Sequence, residues 1–239
     1  MQVPFQRRIQ LENIINCRDL GGYLCKDGSV TQFGRLLRCG IPRDPTQRDM
    51  EILAAHGIKT VIDLRGDMEA VERPSAFLGH KDFTYHQISL LEVNPAITNA
   101  AVLLSEIYKN SVEKYSGNYA KVFKTIATIE TPALFHCFLG KDRTGILASM
   151  ILDLAGVWRE DIIADYQVSG TYLNPFYKRE IEMNSGLIWE NNDDHLLSEP
   201  KNIAMLLDYI DEKYGGVRGY LQAAGVTQEE IEKVGRLLL

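Results

Sequence analysis

Residues 136–145 read HCFLGKDRTG, and they place a thiol, an acid and two strong bases around two glycines. The apolar run from Pro132 to Cys137 predicts a buried strand before this loop, and the stretch from Arg143 to Ala155 predicts a central helix after it. The first turn of such a helix directs unpaired backbone N–H groups at the loop, which makes an anion site. Gly140 allows the backbone to curl closely around that anion. We therefore expect Cys137 to face a phosphate-sized site.

The sulfur of Cys137 must be ionised to act as a nucleophile, and the neighbouring bases provide the means. An ordinary cysteine is only a few per cent thiolate at pH 7, because its usual pKa is about 8.5. Lowering this pKa by about three units requires about 4 kcal/mol, whereas a helix terminus usually supplies about 0.3–1 kcal/mol. Lys141, Arg143 and the converging loop amides can supply the remainder. This requirement explains why the thiol and the bases share one loop.

Arg143 and Asp142 have further tasks in a reaction that transfers a phosphoryl group. The planar guanidinium of Arg143 can hold two phosphate oxygens and stabilise the charge that develops during transfer. The carboxyl group of Asp142 can protonate the leaving oxygen and then act as a base on the hydrolytic water. The alternative is that Asp142 caps the helix or pairs with Lys141. In this loop we favour the catalytic role.

The elements around the loop indicate an α/β fold. Apolar runs from Arg35 to Cys39 and from Ile58 to Leu64 predict two more buried strands, and Phe83 to Ser89 predicts a fourth. Between the first two, TQRDMEILAAHG predicts a helix with Thr46 as N-cap, Ile52 and Leu53 towards the core and Gly57 as the stop. This order implies a mostly parallel sheet flanked by helices. No repeat or linker interrupts the chain, so we expect one catalytic domain over residues 1–239.

After Ser89 the pattern becomes helical. The segment from Leu90 to Ser116 could cover the site as a lid or form an ordinary surface helix. The predicted helices are about Asn99 to Asn110, Gly117 to Ile129, Arg159 to Ser169, Tyr172 to Met183, Ile203 to Tyr214, Gly216 to Gly225, and a last one that Thr227 and Glu230 open with a capping box.

The composition narrows the classes of partner. A net charge of −6 argues against nucleic acid as a partner. Four cysteines without a CxxC pair, and five histidines without ligand spacing around them, predict no zinc site and no other cofactor. No segment reaches the ~18 apolar residues of a membrane span, so we expect no membrane insertion and a cytoplasmic location. We expect Cys17, Cys25 and Cys39 to be buried apolar residues rather than redox partners.

The loop resembles the signature of the protein tyrosine phosphatase superfamily, and HCxxGKDRTG is similar to the pattern of its atypical bacterial and fungal members. The resemblance implies a tyrosine phosphatase-like α/β fold and hydrolysis of phosphotyrosine, extended in several members to phosphoinositides and to phosphoserine or phosphothreonine. Further similar blocks follow in the expected order along nearly the whole chain: NCRDLGGY (16–23), GRLLRCG (34–40), GIKTVIDLR (57–65), DIIADYQVS (161–169) and YGGVRGYL (214–221).

The resemblance also implies roles for single residues. The loop cysteine of the family is the nucleophile, its loop arginine binds phosphate, and its loop aspartate is the usual candidate for general acid; these roles fall on Cys137, Arg143 and Asp142. A loop lysine, here Lys141, is associated with acceptance of highly charged lipid headgroups. Cys17 departs from the pattern, since phenylalanine is common there. The substrate-binding candidates in the loop are Phe138, Leu139, Gly140, Lys141 and Thr144.

Charged residues outside the loop are further candidates for binding substrate. Arg18 and Asp19 could reach the pocket, or could form an ion pair that fixes the glycine turn after them. Asp63 and Arg65 end a predicted strand, and ligands gather outside the carboxyl ends of parallel strands. We expect His136 to support the loop by hydrogen bonding rather than to transfer protons.

These observations lead to one hypothesis and three alternatives. We expect a metal-independent phosphatase that acts on a phosphotyrosine protein through a phosphocysteine intermediate. An inositol polyphosphate or phosphoinositide phosphatase would use the same chemistry in a wider, more basic pocket. A non-catalytic phospho-ligand binder would have no need of the nucleophile, and a rhodanese-like sulfur carrier would not require Asp142.

Overall fold

A five-stranded, mostly parallel sheet forms the centre of the protein. The computed structural model describes residues 6–91, 103–183 and 197–239. The strands are β1 (Arg18–Asp19), β2 (Leu36–Cys39), β3 (Thr60–Arg65), β4 (Thr84–Leu91) and β5 (Ala133–His136), in the spatial order β1-β2-β5-β3-β4. Strands β2 to β5 run parallel, and β1 pairs antiparallel with β2. The predicted α/β fold is confirmed, although the short edge strand β1 was not predicted.

Helices cover both faces of this sheet. In chain order they are α1 (Gln47–Ala55), α2 (Asp67–Glu72), α3 (Leu104–Lys114), α4 (Ser116–Ala127), α5 (Asp142–Leu154), α6 (Arg159–Glu182), α7 (Pro200–Tyr214), α8 (Val217–Ala223) and α9 (Gln228–Leu237).

Successive residues of the central strands contribute to two separate hydrophobic clusters. Val61 and Leu134 pack with Leu53 of α1 on one face, while Ile62 and Phe135 join the larger cluster on the other face. Side chains of a strand alternate between faces, so β3 and β5 are buried on both sides. The predicted apolar runs have this origin.

Local signals in the sequence fix several helix ends. Thr46 accepts a hydrogen bond from the Asp49 N–H at 3.1 Å and Asp49 accepts one in return, so the first helix opens with a capping box. Gly57 follows this helix with a φ of +72°, a conformation that favours glycine. The predicted capping box of Thr227 and Glu230 opens α9.

Helix α6 is longer than the sequence suggested. It runs without a break through Pro175, whereas two separate segments were expected. A proline deprives the carbonyl four residues earlier of its helical partner. Both Thr171 and Pro175 are exposed, so water can satisfy that carbonyl and the helix continues.

Two predictions about the region after β4 need qualification. Helix α3 begins at Leu104, and the predicted start near Asn99 and residues 92–102 of the possible lid lie outside the described residues. Within the described ranges, no helix combines the length and the apolar character needed to cross a bilayer. The cytoplasmic location stays a prediction.

Candidate active site

The predicted loop joins the end of β5 to the first turn of α5, at the edge where the parallel strands end. Cys137 is 2% exposed. Gly140 has a φ of +67°, and a Cβ atom there would lie 2.3 Å from the carbonyl carbon of Cys39 in β2. A side chain at this position would push the loop away from the sheet, so the close approach requires glycine. The structure thus brings residues 137–144 together in one tight turn.

Two side chains hold the carbonyl groups of the loop. Asn16 Nδ2 donates to the carbonyl oxygens of Leu139 at 3.1 Å and of Gly140 at 2.9 Å. Arg38 Nη2 donates to Gly140 O at 2.8 Å and to Lys141 O at 3.4 Å. In a planar trans peptide the N–H points opposite to the C=O, so the next N–H groups face away from Asn16 and Arg38. An anion cradle requires this arrangement of amides.

Asp165 of α6 ties these two side chains to each other. Its carboxylate accepts from Arg38 Nη1 at 2.5 Å and from Arg18 Nε at 2.8 Å. Arg18 in turn donates to Asn16 Oδ1 at 2.6 Å. Burial opposes ionisation of Asp165, but Arg18 and Arg38 outweigh it and lower its pKa to about 2. We call Asn16, Arg18, Arg38 and Asp165 the loop clamp.

Arg143 is held by a carboxylate from α2. Its Nη1 and Nη2 donate to the two carboxylate oxygens of Glu69 at 2.6 and 2.9 Å. Burial disfavours the charge of Arg143, but Cys137 and Glu69 outweigh it and raise the pKa of the guanidinium. Among the described residues, Nε of Arg143 has no hydrogen-bond acceptor. The Nε side of the fork can therefore meet a second anion while Glu69 holds the other end.

Asp142 is the first residue of α5 and contacts a tyrosine of α3. The Tyr108 hydroxyl donates to Asp142 Oδ1, and the Tyr166 hydroxyl lies 2.7 Å from that of Tyr108. Lys141 Nζ lies 3.3 Å from the same oxygen, which is the pairing that the alternative interpretation of Asp142 anticipated. Both contacts use Oδ1, and the side chain is 31% exposed. Oδ2 therefore stays available to a leaving group as far as the described residues are concerned.

His136 supports the loop from the end of β5. Burial lowers the pKa of His136 against the attraction of Asp63, so the imidazole is neutral at pH 7. Its Nδ1 lies 3.1 Å from Cys137 O, and a neutral ring must carry its proton on Nδ1 to make that hydrogen bond. Nε2 then becomes an acceptor, which is buried without a partner among the described residues. This geometry agrees with the predicted supporting role.

The four charged candidates outside the loop lie in buried networks. Asp63 accepts from Arg65 Nη2 and from the Tyr85 hydroxyl, both at 2.6 Å. Asp19 accepts backbone N–H groups of the glycine turn and of Gly34, and burial raises its pKa to about 6 despite these hydrogen bonds. The suggested ion pair of Arg18 with Asp19 is wrong, because Arg18 pairs with Asp165.

This geometry favours a supporting role for Arg18, Asp19, Asp63 and Arg65, and direct contact of their side chains with substrate stays a prediction. All four side chains are at most 1% exposed, and their charged atoms already have protein partners. Their hydrogen bonds hold the glycine turn, the loop clamp and the end of β3 in place.

Other polar groups near the loop bear on its chemistry. Thr144 Oγ1 is buried and has no hydrogen-bond partner among the described residues, although buried hydroxyls normally have one. Cys17, Cys25, Cys39 and Cys137 are all free and buried. The described part of the chain contains no cluster of three or more metal-ligating side chains.

Comparison with known proteins assigns the chain to a family. The model of the tyrosine phosphatase family matches residues 9–239. The chain belongs to the tyrosine phosphatase family. It is 33% identical over 202 residues to a tyrosine-protein phosphatase of Nostoc commune, which covers 79% of this chain and 69% of the relative. The triple specificity protein phosphatase PtpB of Mycobacterium tuberculosis is 31% identical over 132 residues, 48% of this chain and 46% of the relative.

A solved structure of TpbA from P. aeruginosa is also similar, at 18% identity, with a TM-score of 0.40 over 82% of this chain and 89% of TpbA. A similarity of that size adds no argument. The family match confirms the predicted resemblance and the enzyme class, a cysteine-dependent phosphatase.

Sequence reasoning missed five residues of the site. Three of them lie inside the blocks that carried the resemblance: Asn16 in NCRDLGGY, Arg38 in GRLLRCG and Asp165 in DIIADYQVS. Those blocks could have singled them out. Glu69 carried no recognisable signal, and neither did Tyr108, which is buried and donates its hydroxyl hydrogen to Asp142.

Proposed function

We propose that this member of the tyrosine phosphatase family hydrolyses phosphotyrosine in proteins through a phosphocysteine intermediate on Cys137. The observation that carries the proposal is the loop clamp, because it holds the loop carbonyls and thereby directs the loop N–H groups to the opposite side, where an anion would lie beside Cys137. A pure packing role for the loop would not need two buried arginines and a buried carboxylate behind it.

The first step would break the bond between phosphorus and the tyrosyl oxygen. Cys137 Sγ attacks phosphorus, the loop amides and the Nε side of Arg143 hold the equatorial oxygens, and the proton of Asp142 goes to the departing oxygen. The dephosphorylated tyrosine leaves, and a covalent S–P bond remains on Cys137.

The second step would restore the enzyme. Asp142, now a carboxylate, accepts a proton from water as that water attacks phosphorus, the S–P bond breaks, and inorganic phosphate leaves. No electrons are exchanged and no cofactor is consumed. Thr144, in the first turn of α5, has a buried hydroxyl without a partner among the described residues. This hydroxyl would donate a hydrogen bond to the Cys137 thiolate as the S–P bond breaks.

The test compares two Cys→Ser variants. Cys137→Ser should abolish hydrolysis of phosphotyrosine peptides while inorganic phosphate still binds, because the serine hydroxyl is a poor nucleophile in the same cradle. Cys25→Ser changes an equally buried thiol away from the loop and should keep the activity. Turnover by Cys137→Ser above one per cent of the wild-type rate would refute the assignment.

The remaining alternatives need a substrate panel. One relative carries the name triple specificity phosphatase, so phosphoserine and phosphothreonine peptides belong beside phosphotyrosine peptides. Inositol polyphosphates and phosphoinositides complete the panel. A kcat/KM that is highest for the inositol compounds would replace the proposed substrate class but keep the chemistry.

A further inference from the structure

A groove runs from the active loop along the surface between the N-terminal segment and α6. One cavity of about 540 Å³ is lined in part by Phe138 and Leu139, the two residues that follow the nucleophile. A second cavity of about 400 Å³ continues from it, since the two share Glu12, Ile15, Phe176 and Arg179 in their walls. We call the two cavities together the flanking groove.

The walls of the flanking groove combine apolar surface with charges of both signs. Ile15, Ile41, Phe138, Leu139 and Phe176 supply the apolar part. The charged part consists of three basic residues, Arg43, Arg73 and Arg179, and three acidic residues, Glu12, Asp44 and Glu180.

The arginines of the groove are weakly paired. Arg43 lies 3.7 Å from Asp44 and Arg179 lies 3.6 Å from Glu180, and both arginine side chains are at least 60% exposed. Exposed pairs of this kind contribute about 0–1 kcal/mol. Arg73 has no carboxylate oxygen within 4.0 Å among the described residues. All three guanidinium groups can therefore exchange their present neighbours for a ligand.

Arg73 lies nearest to the chemistry. Its guanidinium lies 4.9 Å from the centre of the Phe138 ring, a cation–π contact with the residue next to Cys137. Its carbonyl oxygen accepts from Arg65 Nη1 at 2.6 Å, which anchors the backbone at the end of α2. A cation is thus held beside the mouth of the loop.

These features discriminate between classes of substrate. An inositol polyphosphate or a phosphorylated lipid headgroup carries only hydroxyls and negative charge, so the apolar wall would stay unused and Glu12, Asp44 and Glu180 would repel it. A polypeptide offers apolar side chains, backbone hydrogen bonds and charges of both signs, which match such a wall.

We propose that the flanking groove binds the polypeptide chain next to the phosphorylated residue of a protein substrate, with an acidic side chain close to that residue meeting Arg73. This inference rests on the proposed function and names its substrate class. It predicts that peptides with acidic residues beside phosphotyrosine bind and react better than peptides with neutral ones.

Binding to the Cys137→Ser protein tests the groove without turnover. Fluorescence anisotropy would measure the affinity of this protein for three ligands: a phosphotyrosine peptide with acidic flanks, the same peptide with neutral flanks, and a soluble inositol polyphosphate. The double variant Arg43→Glu, Arg179→Glu should lower the affinity for the acidic peptide by about tenfold, from about threefold for each exposed charge. Arg73→Gln should reduce the preference for acidic over neutral flanks. The control Arg236→Glu reverses the charge of an equally exposed arginine of α9 and should not change the affinity for either peptide.

The outcomes separate this inference from the proposed function. Equal affinity for both peptides would overturn the proposal that the groove binds the peptide. So would an equal effect of the double variant Arg43→Glu, Arg179→Glu and of the control Arg236→Glu. A loss confined to the inositol polyphosphate would also overturn it and assign the groove to that ligand. Hydrolysis of a simple aryl phosphate by wild type, which requires none of the arginine side chains of the groove, tests the chemistry independently.

Discussion

Asp165→Asn removes the negative charge at the centre of the loop clamp. In the wild type, the Asp165 carboxylate faces two guanidinium groups, Arg18 at 2.8 Å and Arg38 at 2.5 Å, and all three side chains are buried. The neutral amide leaves both cations without a counter-charge in a medium where charges are poorly solvated. Breaking a buried ion pair in this way costs about 3–5 kcal/mol of the free energy of unfolding.

The shifted pKa gives a second route to the same magnitude. The pKa of Asp165 falls from 3.8 to about 2 in the folded protein. At about 1.4 kcal/mol per pKa unit, ionisation of Asp165 contributes about 2–3 kcal/mol of stability. Because the folded pKa is depressed, this contribution is fully present above about pH 4 and is lost as the pH falls towards 2. The variant should lack that part of the acid dependence.

Urea unfolding of wild type and Asp165→Asn, at pH 7 and at several values down to pH 3, measures both effects. The matched control is Asp208→Asn, which removes a carboxylate paired with Arg159 at the surface and should cost less than about 1 kcal/mol. Because Arg38 loses its anchor, kcat should also fall at least about tenfold in the folded variant. An unfolding free energy within 1 kcal/mol of wild type at pH 7 would refute the reasoning about the clamp.

Three further substitutions address the loop itself. Asp142→Asn should slow hydrolysis of alkyl phosphates more than that of aryl phosphates, because only the poorer leaving group depends on protonation; equal losses in kcat would remove Asp142 from the general-acid role. Gly140→Ala should reduce kcat at least about 100-fold and lower the melting temperature, because its Cβ would collide with the backbone of Cys39; a variant with normal kinetics would show that the loop tolerates the shift. Glu69→Gln should raise KM for phosphotyrosine peptides about three- to tenfold, because one end of the Arg143 fork loses a charged acceptor; unchanged kinetics would make the Glu69 contact irrelevant to substrate binding.

Much of the fold follows from periodicity and end signals in the sequence. The apolar runs that became β2, β3 and β5 are continuous because both faces of these strands are covered, and this continuity made them recognisable. Thr46 and Thr227 marked helix starts because a side-chain oxygen and an acidic residue three positions later form a local motif. The two-residue strand β1 and the six-residue helix α2 were not predicted, because elements of that length are too short to show a periodic pattern of apolar residues.

The site was predictable only where its residues adjoin in sequence. The loop from Cys137 to Thr144 could be interpreted from its own order of residue types. The blocks similar to the family contain Asn16, Arg38 and Asp165, but their contacts with each other and with the loop could not be predicted, because these segments lie far apart in the chain and only the fold brings them together. A buried arginine has no local signature in sequence, and its carboxylate partner lies 127 positions away.

Direct detection of the covalent intermediate tests the central claim most closely. Wild type and Asp142→Asn would be mixed with a phosphotyrosine peptide, quenched in acid within milliseconds and digested for mass spectrometry, with Cys137→Ser as the control. The account predicts a phosphoryl group on the peptide that contains Cys137 in both proteins and none in the control. Rapid turnover without a phosphoryl group on Cys137, or with one on another residue, would contradict it.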